Sequence, residues 1–134
     1  MTLSSTRWSL LAGSVLAFGF LAVVPALAHH SFEAEFDGDK TANVTGVVTK
    51  IDWTNPHAWV YMNIKDDGGA TKTFAVELGP PYALVRNGWK RDTVKIGDTV
   101  TVQGAAMAKD GSSRAGSLPS TRMLLGSGEK LPMR

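Results

Sequence analysis

Residues 58–78 read AWVYMNIKDDGGATKTFAVEL, and this stretch decides the fold because apolar and polar side chains alternate on both sides of a turn. Alternation with a period of two is typical of β-strands that bury one face. The DDGG sequence at residues 66–69 supplies the residue types that hairpin turns favour. We therefore expect a β-hairpin whose inner face carries Val60, Met62, Ile64, Phe74, Val76 and Leu78.

The segments around this hairpin predict the remaining elements of a small domain. Proline suits the first turn of a helix and glycine the position after its end, so Pro81 and Gly88 bracket a short helix. In chain order we expect a strand at 43–53, a Thr-Asn-Pro turn at 54–56, the hairpin, the helix at 82–87, a strand at 99–104, a polar, glycine-rich and mobile loop at 109–117, and a short strand at 121–125.

Three strands, a short helix and two further strands follow one another in the order of a five-stranded Greek-key barrel of the OB type. The fold prediction is thus a mostly β, OB-like barrel, with a β-sandwich of similar size as the alternative. Alternation at residues 29–37, with Phe32, Ala34 and Phe36 on one face, predicts an extra amino-terminal strand.

The first 28 residues have the features of a secretory signal peptide. Arg7 provides a basic start, residues 8–24 are apolar and uncharged, and Ala26-Leu27-Ala28 has the form that signal peptidase recognises. Such a segment would direct export, to the periplasm in a host with two membranes. Cleavage after Ala28 would then leave His29 as the amino terminus. The domain prediction is therefore a signal peptide at 1–28, a single OB-like domain at 29–126 and a flexible tail at 127–134.

Composition excludes several classes of protein. The chain has 14 basic and 12 acidic residues, and removal of Arg7 with the signal peptide leaves 13 and 12, a net charge of +1. This near-neutral balance gives no reason to expect a nucleic-acid partner, which requires clustered cations. The chain has no cysteine, so it forms neither disulfides nor thiolate metal sites. After residue 28 no stretch approaches the roughly 20 apolar residues of a membrane span.

Several short motifs together carry a resemblance to a known family. They are the mature start His29-His30-Ser31-Phe32, the segment Trp53-Thr54-Asn55-Pro56-His57-Ala58, and the sequences Glu77-Leu78-Gly79-Pro80, Asn87-Gly88-Trp89 and Gly97-Asp98-Thr99-Val100. The chain resembles a family of small exported bacterial proteins of unknown function over nearly the whole mature length. The resemblance implies an exported single domain and supplies no activity or site, so function has to be argued from the residues.

The three histidines of the chain suggest a metal site. An amino-terminal His29 can chelate a divalent metal through its α-amine and ring nitrogen, and His57 or His30 can supply a second imidazole, as in a histidine brace. Such nitrogen ligands suit Cu(II) best among the divalent first-row metals. If the amino-terminal strand runs back along the strand at 43–53, it brings His29 to the turn that holds His57. A local chelate of His29 and His30 alone, or no functional metal, are the alternatives.

A second candidate site is aromatic. Trp59 and Tyr61 lie on the face of their strand opposite Val60, where exposed rings would bind a peptide, a glycan or a partner protein. The alternative is that these rings pack against Phe32 and Phe36. With His57 the only histidine inside the body of the domain, no catalytic triad is convincing. We therefore expect a binding protein rather than an enzyme, with Cu(II) binding as its function.

Overall fold

The computed structural model describes residues 31–134, and His29, His30 and the predicted signal peptide lie outside this range. Residues 31–35 are helical. The strands are β1 (Phe36–Asp52), β2 (Trp59–Lys65), β3 (Thr71–Glu77), β4 (Thr99–Ala108), β5 (Arg114–Gly116), β6 (Arg122–Leu124) and β7 (Lys130–Pro132), and a helix at Pro81–Arg86 joins β3 to β4. Among residues 31–134, no helix is both long and apolar enough to cross a membrane.

The sheet closes into a five-stranded barrel because β1 pairs with two neighbours. The strand order is β1-β2-β3-β5-β4, and β4 pairs again with β1. All neighbours are antiparallel except β3 and β5, which run parallel. This confirms the OB-like barrel, since a sandwich would leave two separate sheets. Strands β6 and β7 extend the sheet from β4.

The predicted hairpin is present, and residues of its predicted inner face lie opposite one another across the two strands. Val60 lies opposite Val76 and Met62 opposite Phe74. All four side chains are buried in the barrel core. The helix at Pro81–Arg86 then covers one end of the barrel with the buried Leu84.

The end of the helix also forms as predicted. Gly88 has a φ of 93°, a conformation that glycine adopts without strain. The backbone N–H of Trp89 donates to the carbonyl of Leu84 at 3.0 Å, which fixes the buried indole under the helix.

The amino-terminal strand is present only in part, and it does not run back along residues 43–53 as expected, because Phe36 and Asp37 are continuous with that strand and pair with β4. Residues 31–35, which alternation assigned to a strand, are helical, and β1 begins at Phe36 and continues without interruption to Asp52. Phe32 and Phe36 are four residues apart and therefore share a face in a helix as well as in a strand. Their ring centroids lie 5.0 Å apart. Alternation over so short a stretch did not distinguish the two conformations.

The prediction of a mobile loop at residues 109–117 was wrong. This segment contains β5, the strand that joins β3 to β4 and completes the barrel. Its three residues include Ala115 and Gly116, whose side chains are too small to give a periodic signal, yet both are buried. The strand predicted at 121–125 is instead β6, outside the barrel ring.

The flexible tail predicted at residues 127–134 was also wrong. Strand β7 pairs with β6 through Leu131 opposite Met123, and Met133 is completely buried. The Trp89 indole N–H donates to the carbonyl of Pro132 at 2.7 Å, and the N–H of Gly79 donates to that of Met133 at 2.8 Å. These distant partners hold the segment, and no local sequence pattern indicates them.

Replacing Met133 by alanine tests whether this segment belongs to the folded core. We expect the free energy of unfolding to fall by about 2–5 kcal/mol, as for other buried methionines truncated to alanine. The measurement is urea denaturation followed by tryptophan fluorescence. Ile96→Ala, at a side chain that is 72% exposed, is the control and should have little effect. Equal stabilities of the two variants would contradict the packing of the segment.

Candidate functional site

His57 is held by a carboxylate at one end of the barrel. It lies between β1 and β2, and its Nδ1 is in hydrogen-bond contact with Oε1 of Glu77, the last residue of β3. The backbone brings the pair together, because Leu78 N–H donates to the carbonyl of Ala58 at 2.8 Å and Trp59 lies opposite Glu77. With Nδ1 bound to Glu77, Nε2 is the ring nitrogen available to an external group. The His57 side chain is 29% exposed, so solvent reaches it.

The environment of Glu77 contains charges of both signs. Its side chain is only 13% exposed, and burial raises the pKa of its carboxyl above the ordinary value. His57 and Arg134 act in the opposite direction and Glu35 adds to the increase. Glu77 is therefore a largely desolvated carboxyl, and His57 and Arg134 partly offset the increase in its pKa that burial causes.

Arg134 is fixed beside Glu77 by contacts at both ends of the residue. Its Nη1 donates to the carbonyl of Ser117 at 2.8 Å, and its own carbonyl accepts from Nδ2 of Asn87 at 2.8 Å. The guanidinium lies over the ring of Phe32, 4.6 Å from the ring centroid. Such cation–π contacts contribute about 0.5–1 kcal/mol where they are exposed.

The second predicted site, around Trp59 and Tyr61, is partly covered. Trp59 packs against a small buried cluster that includes Phe36 and Ala106, and Phe32 packs against the same cluster. Tyr61 stacks on Trp59 with ring centroids 6.4 Å apart. Lys50 places its Nζ 4.9 Å from the centroid of the Tyr61 ring. The two rings therefore already have partners within the chain.

The site combines residues that the sequence indicated with others that it did not. His57 occupies the predicted turn, whereas His29 and His30 lie outside the described residues. Within residues 31–134 no group of three or more histidine, aspartate and glutamate side chains is placed to hold a metal ion. Sequence reasoning missed Glu77 and Arg134. The DDGG turn could have indicated Glu77, because counting outward from it places Glu77 opposite Ala58, next to His57 and one residue from its observed partner Trp59.

Comparison with known proteins adds a family but no activity. A search of curated proteins found no match, and a search of solved structures found none either. A protein-family model matches residues 19–117, which is most of the chain and includes His29, His57 and Glu77. The chain therefore belongs to DUF6152, a family of unknown function.

Proposed function

We propose that this protein is an exported, periplasmic Cu(II)-binding protein in which His57 supplies one imidazole through Nε2. His29, made amino-terminal by cleavage after Ala28, supplies its α-amine and ring nitrogen, and His30 is the alternative source of the second imidazole. The observation that carries the proposal is the contact between Nδ1 of His57 and the carboxylate of Glu77.

This contact supports metal binding because of what it does to the imidazole. Histidines that bind metals almost always donate their second ring N–H to a carboxylate, a carbonyl or water. Such a partner fixes the tautomer, orients the ring and makes the ligating nitrogen more basic. Glu77 is buried enough to hold one orientation, and the His57 side chain is 29% exposed, so a metal ion can approach it.

Chain length sets an upper limit on the distance between His29 and Phe32. Phe32 is the first residue with a large side chain in the described range. Arg134 lies over the Phe32 ring and also acts to lower the pKa of the Glu77 carboxyl. His29 precedes Phe32 by three residues, which span at most about 10–11 Å when extended. Covalent connection alone thus limits how far the α-amine of His29 lies from Phe32.

The runner-up function is a binding module for a peptide, a glycan or a protein partner at Trp59 and Tyr61. The packing of Trp59 and the position of Lys50 over Tyr61 reduce the ring area available to such a ligand. The metal site is the better supported of the two, and Tyr61 provides a control variant that separates them.

The first test is Cu(II) titration of mature protein that begins at His29, by calorimetry and electron paramagnetic resonance. We expect one-to-one binding that His57→Ala weakens by more than about 100-fold, since even partners of metal ligands are worth roughly 10–100-fold. One extra residue before His29 should weaken binding similarly, because it converts the α-amine to an amide.

Tyr61→Ala is the control for this titration and should leave Cu(II) affinity unchanged. Binding that does not respond to His57→Ala would contradict a folded site and indicate a local chelate of His29 and His30. Loss of a peptide or glycan ligand on Tyr61→Ala, with no effect on copper, would favour the runner-up.

The second test concerns Glu77. Glu77→Gln keeps an oxygen that can accept from Nδ1 of His57 but removes the negative charge, so we expect Cu(II) affinity to fall by about 10-fold. Glu129→Gln, at an exposed glutamate in the turn between β6 and β7, is the matched control. Equal affinities of the two variants would show that the carboxylate does not support the metal ligand.

The third test is the pH dependence of binding. Imidazole must be unprotonated to bind a metal, so protons compete with copper and affinity should decrease as pH falls through about 6.5. Calorimetry at pH 7.5, 6.5 and 5.5 measures this. An affinity that stays constant over this range would exclude histidine as the ligand type.

A further inference from the structure

The segment between β3 and β4 is attached to the barrel by three widely spaced side chains. Residues 81–98, here called the cap segment, comprise the helix and the two turns that follow it. Leu84, Trp89 and Val94 are buried and belong to the barrel core. Most of the residues between these three are exposed. The cap segment therefore presents a row of side chains outward from a firmly attached backbone.

Hydrogen bonds fix the two turns of the cap segment. In the first turn, the N–H of Lys90 donates to Oγ1 of Thr93 at 2.7 Å, and the N–H of Thr93 donates back to the carbonyl of Lys90 at 3.1 Å. In the second turn, the N–H of Lys95 donates to a carboxylate oxygen of Asp98 at 2.8 Å. The exposed side chains of both turns are thus carried on an ordered backbone.

The cap segment concentrates the positive charge of the domain. It holds four of the 13 basic residues and two of the 12 acidic residues in 31–134, so its net charge is +2 and that of the other described residues is −1. Its basic residues are Arg86, Lys90, Arg91 and Lys95, and all four are exposed. Within residues 31–134, none of their side chains forms an ion pair or a hydrogen bond.

Cations elsewhere on the described barrel mostly have a partner. Lys50, for example, places its Nζ 2.7 Å from a carboxylate oxygen of Asp52. Among the described lysines and arginines outside the cap segment, Lys72 and Lys130 alone have a side chain without an ion pair or hydrogen bond to another described residue. The positive charge that is available to an external anion is therefore concentrated on one segment.

The exposed apolar side chains of the domain occur in the same place. Among residues 31–134, four large apolar side chains are exposed. Three belong to the cap segment and are each more than half exposed, namely Tyr82, Val85 and Ile96. The fourth, Val47, adjoins the cap segment, because the next residue of β1, Val48, accepts a hydrogen bond from the N–H of Gly97 at 2.8 Å. Cationic and apolar side chains thus share the outer surface of this segment.

This combination matches the surface of a bilayer that contains anionic lipids. Lysine and arginine near such a surface are attracted to its negative charge. Apolar side chains gain free energy by entering the boundary between headgroups and acyl chains. A nucleic acid also attracts cations, but its phosphate backbone offers Val85 and Ile96 no apolar surroundings. A bilayer accounts for both kinds of side chain.

We infer that the cap segment is a docking surface for an anionic lipid bilayer, which the barrel contacts through Tyr82, Val85, Ile96 and the four cations without crossing it. The docking surface consists only of described residues. It is separate from the proposed copper ligands and does not depend on metal binding.

The test measures co-sedimentation with lipid vesicles of protein that begins at His29. This form contains all of residues 31–134 and lacks the apolar residues 8–24, which would bind lipid by themselves. We expect binding to vesicles of equal parts phosphatidylcholine and phosphatidylglycerol and none to phosphatidylcholine alone. Binding should be lost in about 1 M NaCl, where the Debye length falls to about 3 Å. A chelator in the buffer keeps the result independent of copper.

Two double variants with the same change in charge locate the contact. Lys90→Gln with Arg91→Gln should weaken binding to the mixed vesicles by about 25-fold, since each cation near an anionic membrane contributes about fivefold. Lys72→Gln with Lys130→Gln removes the same charge from exposed lysines outside the cap segment and should leave binding nearly unchanged. Circular dichroism checks that both variants are folded.

Ile96 tests the apolar part of the contact. Ile96→Ser keeps every charge and should weaken vesicle binding by about 10-fold, because an apolar side chain no longer leaves water. The chain has no cysteine, so Ile96→Cys can carry a single environment-sensitive fluorophore. Its emission should shift to shorter wavelength when mixed vesicles are added, whereas the same label on Lys72→Cys should not respond.

The outcomes decide between a bilayer and other partners. Weaker binding in the Lys90 and Arg91 variant alone, with a shift in emission at residue 96, would support the docking surface. No binding to mixed vesicles, or equal losses in the two double variants, would overturn it. Binding to DNA or polyglutamate that is as tight as to vesicles and indifferent to Ile96→Ser would identify an acidic macromolecule as the partner and overturn the bilayer.

Discussion

Strand β1 pairs with β4 between Phe36 and Val47 and with β2 between Val47 and Asp52, and this double pairing is the constraint on which the barrel depends. A strand of 17 residues must bend to serve two neighbours. Gly46 lies where both pairings begin to overlap, and a Cβ there would be 2.7 Å from the carbonyl oxygen of Asn63. Close approach of the strands at this glycine allows the sheet to close.

Closure also determines where the candidate site forms. Once β2 and β3 are in register, the end of β3 brings Glu77 to the turn that carries His57. The parallel strand β5 then places Gly116 and Ser117 on the other side of Glu77. Residues from three separate parts of the sequence thus meet at one carboxylate, and the barrel supplies the rigid support that an oriented imidazole requires.

The carboxylate of Glu77 links this site to both ends of the described chain. Burial disfavours its charged form, while His57 and Arg134 favour it. Arg134 is held by Ser117 and in turn covers Phe32, so one residue both offsets the burial cost of Glu77 and contacts Phe32. The arrangement explains why an ordered segment at residues 130–134 matters for a site that lies near residue 57.

The sequence by itself determined the elements that local patterns encode. Alternation gave the β2–β3 hairpin, and Pro81 and Gly88 bracketed the helix, because strand and helix periodicity and backbone preferences are properties of neighbouring residues. The position of His57 at a turn could also be predicted from sequence. Packing was one of the two roles that the sequence suggested for Trp59. The order of these elements was enough to predict an OB-like barrel.

Only the tertiary structure decided the features that depend on distant partners. The three residues of β5 have no periodic signal and form a strand because β3 and β4 lie on either side of them. The segment that ends at Arg134 is ordered because the helix end and β6 bind it. Likewise, Phe32 and Phe36 fit a strand or a helix equally well, and the helix is fixed by distant partners: both rings pack closely on Gly116, and the N–H of Lys109 donates to the carbonyl of Glu35.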